Sequence, residues 1–174
     1  MAIVNWVFFF GSALALALIL FHASLHKFRG RIDFQSALRG YGLFPERVLI
    51  LWWVVPLVEL ISVLEILFSV GESRFLAFLI LSLYSVLIFY NLIIGRTNVD
   101  CGCGGVGTKL SWWIFGRNTV LLFFCVFGLI SEVAIAGNHL FLCSLGSIIF
   151  GILLFASYLV FNQLLSNAQV LIGD

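Results

Sequence analysis

Two cysteines one residue apart, Cys101 and Cys103, lie in the least apolar stretch of the chain, Asn98-Val99-Asp100-Cys101-Gly102-Cys103-Gly104-Gly105-Val106-Gly107. A disulfide between them closes only a small, strained ring, and the glycine between them relieves the backbone best. Such a bond staples no long loop and so gains little loop entropy; its strain raises the reduction potential and favours exchange with outside thiols. The glycines that follow let a partner's thiol approach in line, and Lys109 or Arg117 can stabilise the attacking thiolate, with Asp100 working against it. Inert thiols in a flexible loop are the plain alternative. A metal site lacks a third and fourth ligand close in sequence, and His139 falls at the opposite membrane face, so no metal centre is expected.

Cys125 and Cys143 differ in character. Counted from Gly137, their depths along two neighbouring helices differ by roughly 12 Å at about 1.5 Å per residue. A disulfide needs α-carbons within about 7 Å, so these two read as small buried apolar groups that do not pair with each other. A relay from Cys125 to Cys101 or Cys103 requires the cysteine loop to dip inward.

Charges inside apolar sequence are costly and mark candidate function. Glu59 is the best placed, one turn after Pro56, where a freed carbonyl and a bend can open a polar pocket. Glu65 lies about 120° away around the same helix, and Glu132 interrupts a later apolar run. His22 and His26 share one helix face beside Lys27, where they can shuttle protons or bond across helices. Asn91, Arg117 and Asn118 approach the cysteine loop from its two flanking helices.

The elements that position these groups are helices in lipid. The chain is 63% hydrophobic and 10% charged over 174 residues, too little polar surface to cover a water-soluble domain. Five runs, at about 3–25, 48–70, 75–94, 114–136 and 140–165, approach or exceed the roughly 20 apolar residues that cross a bilayer. Backbone groups in hydrocarbon must be satisfied internally, which makes the runs helices. The expectation is an all-α integral membrane protein, one polytopic domain over 1–174. About five transmembrane helices form a four-helix-bundle-like core, with a redox loop at about 95–111. A short amphipathic helix lies in the interface within the first loop, on Phe34, Ala37, Leu38, Tyr41 and Leu43. The amino terminus lacks the positive n-region and cleavage site of a secretory signal, so the first run is expected to stay as a helix. A net charge of +1 with no basic stripe excludes a nucleic-acid partner.

Eight of the nine basic residues flank the first loop and the cysteine loop, and Arg74 alone is left for the other side. The positive-inside rule then places both long loops in the cytoplasm. Trp52, Trp53, Trp112 and Trp113 sit at that same face as interface anchors.

Taken in order, Ser24-Leu25-His26-Lys27-Phe28, Tyr41-Gly42-Leu43-Phe44-Pro45, Pro56 with Glu59, Asn91 before Gly95-Arg96, Cys101-Gly102-Cys103-Gly104 and Arg117-Asn118 resemble the methylamine-utilisation MauE and DoxX-type redox-associated membrane proteins. Over residues 18 to 125 the resemblance implies a multi-pass protein of the bacterial cytoplasmic (inner) membrane. Such a protein works with a thioredoxin-fold, MauD-like partner to make or rearrange disulfides in an exported client of the methylamine dehydrogenase small-subunit type. It marks Cys101 and Cys103 as the exchanging pair and Lys27, Glu59, Arg117 and Asn118 as supporting residues, beside His26 and Asn91. Gly105 departs from the aromatic that the family often carries after Cys-Gly-Cys-Gly. Helices around redox cysteines also look similar to vitamin K epoxide reductase, an analogy of architecture that raises a quinone as cofactor; the missing Cys-x-x-Cys keeps quinone use from being carried over. An exported client and the charge asymmetry pull the cysteine loop toward opposite faces. Two other functions fit the same sequence: a membrane conduit for reducing equivalents or small solutes through Glu59 and the histidines, and a non-catalytic scaffold for a thioredoxin-like protein.

Overall fold

The computed structural model describes residues 2–42, 45–69, 73–97, 99–102, 108–130 and 140–172, with the backbone alone at 2, 3, 48, 140–142, 170 and 172. The described residues form the helices α1 (Ala2–Arg29), α2 (Arg31–Gly40), α3 (Glu46–Leu49), α4 (Val54–Phe68), α5 (Phe75–Ile93), α6 (Trp112–Ile130) and α7 (Leu140–Ile172). Four of them contain segments long and apolar enough to cross a membrane, Val4–Arg29, Phe75–Ile93, Trp112–Ile130 and Cys143–Gln169. The chain is a multi-pass membrane protein. Its outward faces carry large apolar side chains such as Phe68, Val86, Ile130 and Leu153, the surface that a lipid solvent requires.

The run expected at 48–70 is divided. Pro56 has no N–H to offer the carbonyl of Trp52, and its ring crowds that carbonyl, so an α-helical ladder cannot run unbroken from α3. The chain turns through 50–53 instead, where Val54 N–H donates to the Leu51 carbonyl (2.9 Å) and Leu57 N–H to that of Trp53 (3.1 Å). Pro56 thereby falls in the first turn of α4, where a missing donor costs least. At 15 residues, α4 is a shorter element than expected.

α1 is the central helix, packed against α4, α6 and α7, while α4 packs on α5 and α5 on α6. Ala13, Leu16, Ala17 and Leu20 of α1 meet Val63 and Ile66 of α4, Ala77, Ile80 and Leu81 of α5, and Leu121 and Cys125 of α6 in one buried cluster. This is the four-helix core, with α7 laid along the far side of α1. Small residues make that contact close. A Cβ at Gly151 would stand 2.9 Å from the Gly11 carbonyl oxygen, as in membrane helix pairs that approach through glycine.

α2 is the expected amphipathic helix: Phe34 and Ala37 are buried, and Arg31, Asp33 and Arg39 face outward. Two charged residues take on structural tasks. Glu65 caps α5 from α4, accepting from the Ser73 hydroxyl (2.5 Å) and from Leu76 N–H (2.9 Å), which satisfies donors that a helix start leaves open. Arg74, expected as the lone cation of its face, is wholly buried. Its guanidinium donates to the carbonyls of Phe9 (2.6 Å) and Phe124 (2.8 Å) and to the Ser12 hydroxyl (3.0 Å). Gly128 makes room for it, since any Cβ there would collide with the Arg74 guanidinium. Glu132 and the 137–139 turn lie outside the described residues.

Candidate functional site around the cysteine loop

Beyond α5, residues 99–101 pair with 108–110. Asp100 and Lys109 form an antiparallel bridge; Cys101 N–H donates to the Thr108 carbonyl and Leu110 N–H to that of Val99, each at 2.9 Å. The Asp100 carboxylate accepts from Gly102 N–H at 2.8 Å, the turn in which an aspartate closes on the backbone two residues on. Gly102 takes φ +65°, and a Cβ there would press on Phe34 and Ala37 at 3.3 Å, so both conformation and space call for glycine. Cys101 is disulfide-bonded and only 6% exposed, packed with Tyr41, Ile88, Leu92, Leu110 and Ile114. Cys103 and residues 104–107 lie outside the described residues.

Two groups hold this loop, and a third braces one of them. The Tyr41 hydroxyl donates to the Cys101 carbonyl at 3.2 Å. Arg96 donates to the Tyr41 carbonyl at 3.1 Å. The amide of Gln169, near the end of α7, brackets Lys109, accepting from its N–H (2.7 Å) and donating to its carbonyl (2.8 Å). Burial raises the Tyr41 phenol above the ordinary tyrosine range, and Asp100 adds to the rise while Arg117 opposes it.

Inside the bundle, α1, α4 and α5 converge on a buried ion pair. Lys27 Nζ lies 2.5 Å from Glu59 Oε1, and both side chains are almost fully buried. The same carboxylate oxygen accepts from the Tyr84 hydroxyl at 2.7 Å. Lys27 also sits over the rings of Tyr84 (5.1 Å) and Phe34 (5.6 Å), an attraction that gains in a dry site. Phe34 thus touches both the lysine of the ion pair and the cysteine loop. The Ser24 hydroxyl donates to the Pro56 carbonyl at 2.9 Å, tying α1 to α4 one turn from the pair.

On the other flank, Arg117 of α6 donates to Asn162 Oδ1 (2.5 Å) and Asn118 Oδ1 (3.3 Å) and lies 5.2 Å over the Tyr158 ring. Asn118 is buried, and so is Asn91, whose amide donates to the Leu87 carbonyl one turn back (3.0 Å). Glu59 Oε2, Asn91 Oδ1, Asn118 Nδ2 and Arg117 Nε are buried with no hydrogen-bond partner among the described residues.

The expected residues fall into two groups. Lys27 and Glu59 are brought together as one pair, and Arg117 and Asn118 as another; Ile114, one turn before Asn118 on α6, packs with Cys101. His26 is half-buried at the end of α1, its carbonyl accepting from Gly30 N–H at 2.8 Å, and His22 packs edge-on against Phe155. Cys125 and Cys143 are buried free thiols, as their calculated depths required. Among the described residues no cluster of three or more histidine, cysteine or acidic side chains could hold a metal ion. Sequence reasoning missed Tyr84, Tyr158, Asn162 and Gln169. Each stands out as a polar group in an apolar helix, but its partner lies on another element far along the chain.

Residues 2–131 match the family of the methylamine utilisation protein MauE. Two relatives, both named methylamine utilization protein MauE, come from Methylorubrum extorquens, 33% identical over 116 residues, and Paracoccus denitrificans, 30% identical over 113. Each alignment takes in 61% of this chain and 60% of the relative. α7, with Asn162 and Gln169, lies beyond the matched segment. No solved structure matches the chain.

Proposed function

Because the chain belongs to the family of the methylamine utilisation protein MauE, we propose that it is a membrane thiol–disulfide oxidoreductase. Cys101 and Cys103 exchange disulfides with a thioredoxin-like partner, which passes them to an exported client of the methylamine dehydrogenase small-subunit type. The observation that carries the reading is Cys101 itself, disulfide-bonded on a turn whose backbone is held by Tyr41 on one side and Gln169 on the other.

In the exchange a partner thiolate attacks one sulfur of the Cys101–Cys103 bond. The S–S bond breaks, and its electron pair leaves on the other cysteine as a thiolate that then takes a proton. A second partner thiolate displaces the mixed disulfide. Two electrons and two protons have then passed from the partner dithiol to the cysteine pair, and the reverse sequence returns them. Arg117, one turn along α6 from the Ile114 that packs with Cys101, favours the thiolate leaving group. Lys27 acts differently, since Glu59 already neutralises it. The Lys27–Glu59–Tyr84 group positions α1, α4 and α5 beneath Phe34, the surface on which the cysteine turn rests, and Asn91 and Asn118 line the two flanking helices. The bacterial inner membrane is the compartment in which an exported client can be met.

Trapping tests the proposal. Single substitutions Cys101→Ala and Cys103→Ala should each arrest a mixed disulfide with the partner in cells, and the double substitution should abolish client maturation. No trapped species from either single variant, together with normal maturation in the double variant, would refute the redox role. Labelling with a membrane-impermeant maleimide from each side, before and after reduction, reports which face carries the pair.

A further inference from the structure

α6 and α7 both pack on α1, yet they are not a packed pair themselves. Between them is a cleft of about 530 Å³, within the range of roughly 300–1,000 Å³ typical of ligand sites. Its walls are apolar, with Ile19 of α1 as floor, Val120 of α6 on one side, and Leu154 and Phe161 of α7 on the other. Trp113 and Val120, at the rim, are exposed, so the cleft opens on the bilayer. Arg117 is the one charged residue that lines it.

We propose that this cleft binds an anionic phospholipid of the surrounding bilayer, phosphate on Arg117 and acyl chain along the slot. The inference does not depend on the redox reading. Three observations select the head group. No carboxylate among the described residues is within ion-pair distance of Arg117, and an uncompensated guanidinium at the edge of hydrocarbon is costly. Its contacts to Asn162 and Asn118 use one N–H of each terminal nitrogen; Nε is buried, and the second N–H of each terminal nitrogen is left for phosphate oxygens. Its depth also fits. Arg117 is five residues in from Trp112, the first residue of α6, or about 7.5 Å along the axis, and its side chain leans back toward the helix start. The guanidinium therefore reaches the head-group layer that Trp112 and Trp113 mark. Below it the slot continues past Val120 to Phe124, about 10 Å further along α6 and apolar throughout.

The bound lipid fills the seam that α6 and α7 leave unpacked. It also steadies α7, and through Gln169 the backbone of Lys109 in the cysteine turn.

Native mass spectrometry of the full chain in detergent tests this, with phosphatidylglycerol, phosphatidylcholine, oleate and a short-chain ubiquinone added at equal concentration. Phosphatidylglycerol should be retained about fivefold over phosphatidylcholine, the preference of one basic group for an anionic head. Arg117→Gln should level the two, whereas Arg96→Gln, which removes an exposed cation of the same face, should leave the preference intact. Leu154→Trp fills the slot while keeping the cation and should lower retention of both lipids; it serves as the deciding variant if Arg117→Gln fails to fold. Equal retention on the native chain, a preference that survives Arg117→Gln, unchanged retention in Leu154→Trp, or stronger retention of oleate or the quinone than of phosphatidylglycerol would each overturn the proposal.

Discussion

Glu59→Gln isolates the charge in the buried pair from its shape and hydrogen bonding. At 2.5 Å the two ions attract by about 7 kcal/mol in an effective dielectric of about 20, and the cost of desolvating both consumes most or all of that. The net worth of the intact pair is therefore small. Loss of one member is another matter: Lys27, 3% exposed, would be left as an unpaired buried cation, a penalty of about 3–5 kcal/mol. The glutamine still accepts from Tyr84, so this loss measures charge alone. Tyr84→Phe removes only the hydrogen bond to the carboxylate and should cost about 1.5–3 kcal/mol. The double variant Lys27→Met with Glu59→Leu removes both charges and should return to within about 1–2 kcal/mol of the native chain, or exceed it. Unfolding by SDS titration, followed by circular dichroism in mixed micelles, gives these three values together with those of the single changes Lys27→Met and Glu59→Leu. A loss below about 1 kcal/mol for Glu59→Gln, or a double variant as unstable as the sum of the single changes, would refute the assignment of this pair as a desolvated, coupled unit.

Three further outcomes follow from the site. The raised phenol of Tyr41 means that the folded state keeps a proton that an exposed tyrosine releases near pH 10, so its contribution is complete below about pH 10 and is lost as pH rises beyond that. Spectrophotometric titration of Tyr41→Phe should show one fewer late-titrating phenol and no change in the early ones; loss of an early one would place Tyr41 at the surface. Gln169→Ala removes both bonds to Lys109 and should cost about 1–3 kcal/mol of local stability, read as faster proteolysis between Asp100 and Ser111; an unchanged rate would mean that α7 does not hold the turn. Cys125→Ser with Cys143→Ala should leave partner trapping by the Cys101 and Cys103 variants at native levels, and a fall in trapping would bring Cys125 into the exchange.

The membrane-spanning helices could be read from the sequence because lipid leaves the backbone few choices. The amphipathic helix at Arg31–Gly40 was equally legible from the spacing of Phe34 and Ala37. Glu59 declared itself as a charge inside an apolar run, but not its partner: whether Lys27 or His26 faces it depends on how α1 rotates against α4, which Ala13, Ala17 and Ser24 decide by packing. Pro56 was seen as a bend, yet it delays the start of α4 enough to shorten that span. Glu65 and Arg74 read as functional or topological charges because their partners, the Ser73 and Leu76 cap and the carbonyls of Phe9 and Phe124, are backbone or small groups without a sequence signature. Asn162 and Gln169 could not be placed for a similar reason, since their contacts with Arg117 and Lys109 span 45 and 60 residues.

At 33 residues, α7 is about 50 Å long, against a hydrocarbon layer of about 30 Å. Gln169 lies some 43 Å along it, past the hydrocarbon layer when the helix crosses upright from its first residue. The helix is therefore a ruler, and the cysteine turn is fastened near its far mark. Because close glycine contacts lock α7 to α1, a thinner membrane tilts the whole bundle and leaves the turn in place on it. A partner that reads the site must then match a standoff set by protein length, with lipid thickness controlling only the angle at which that height is presented.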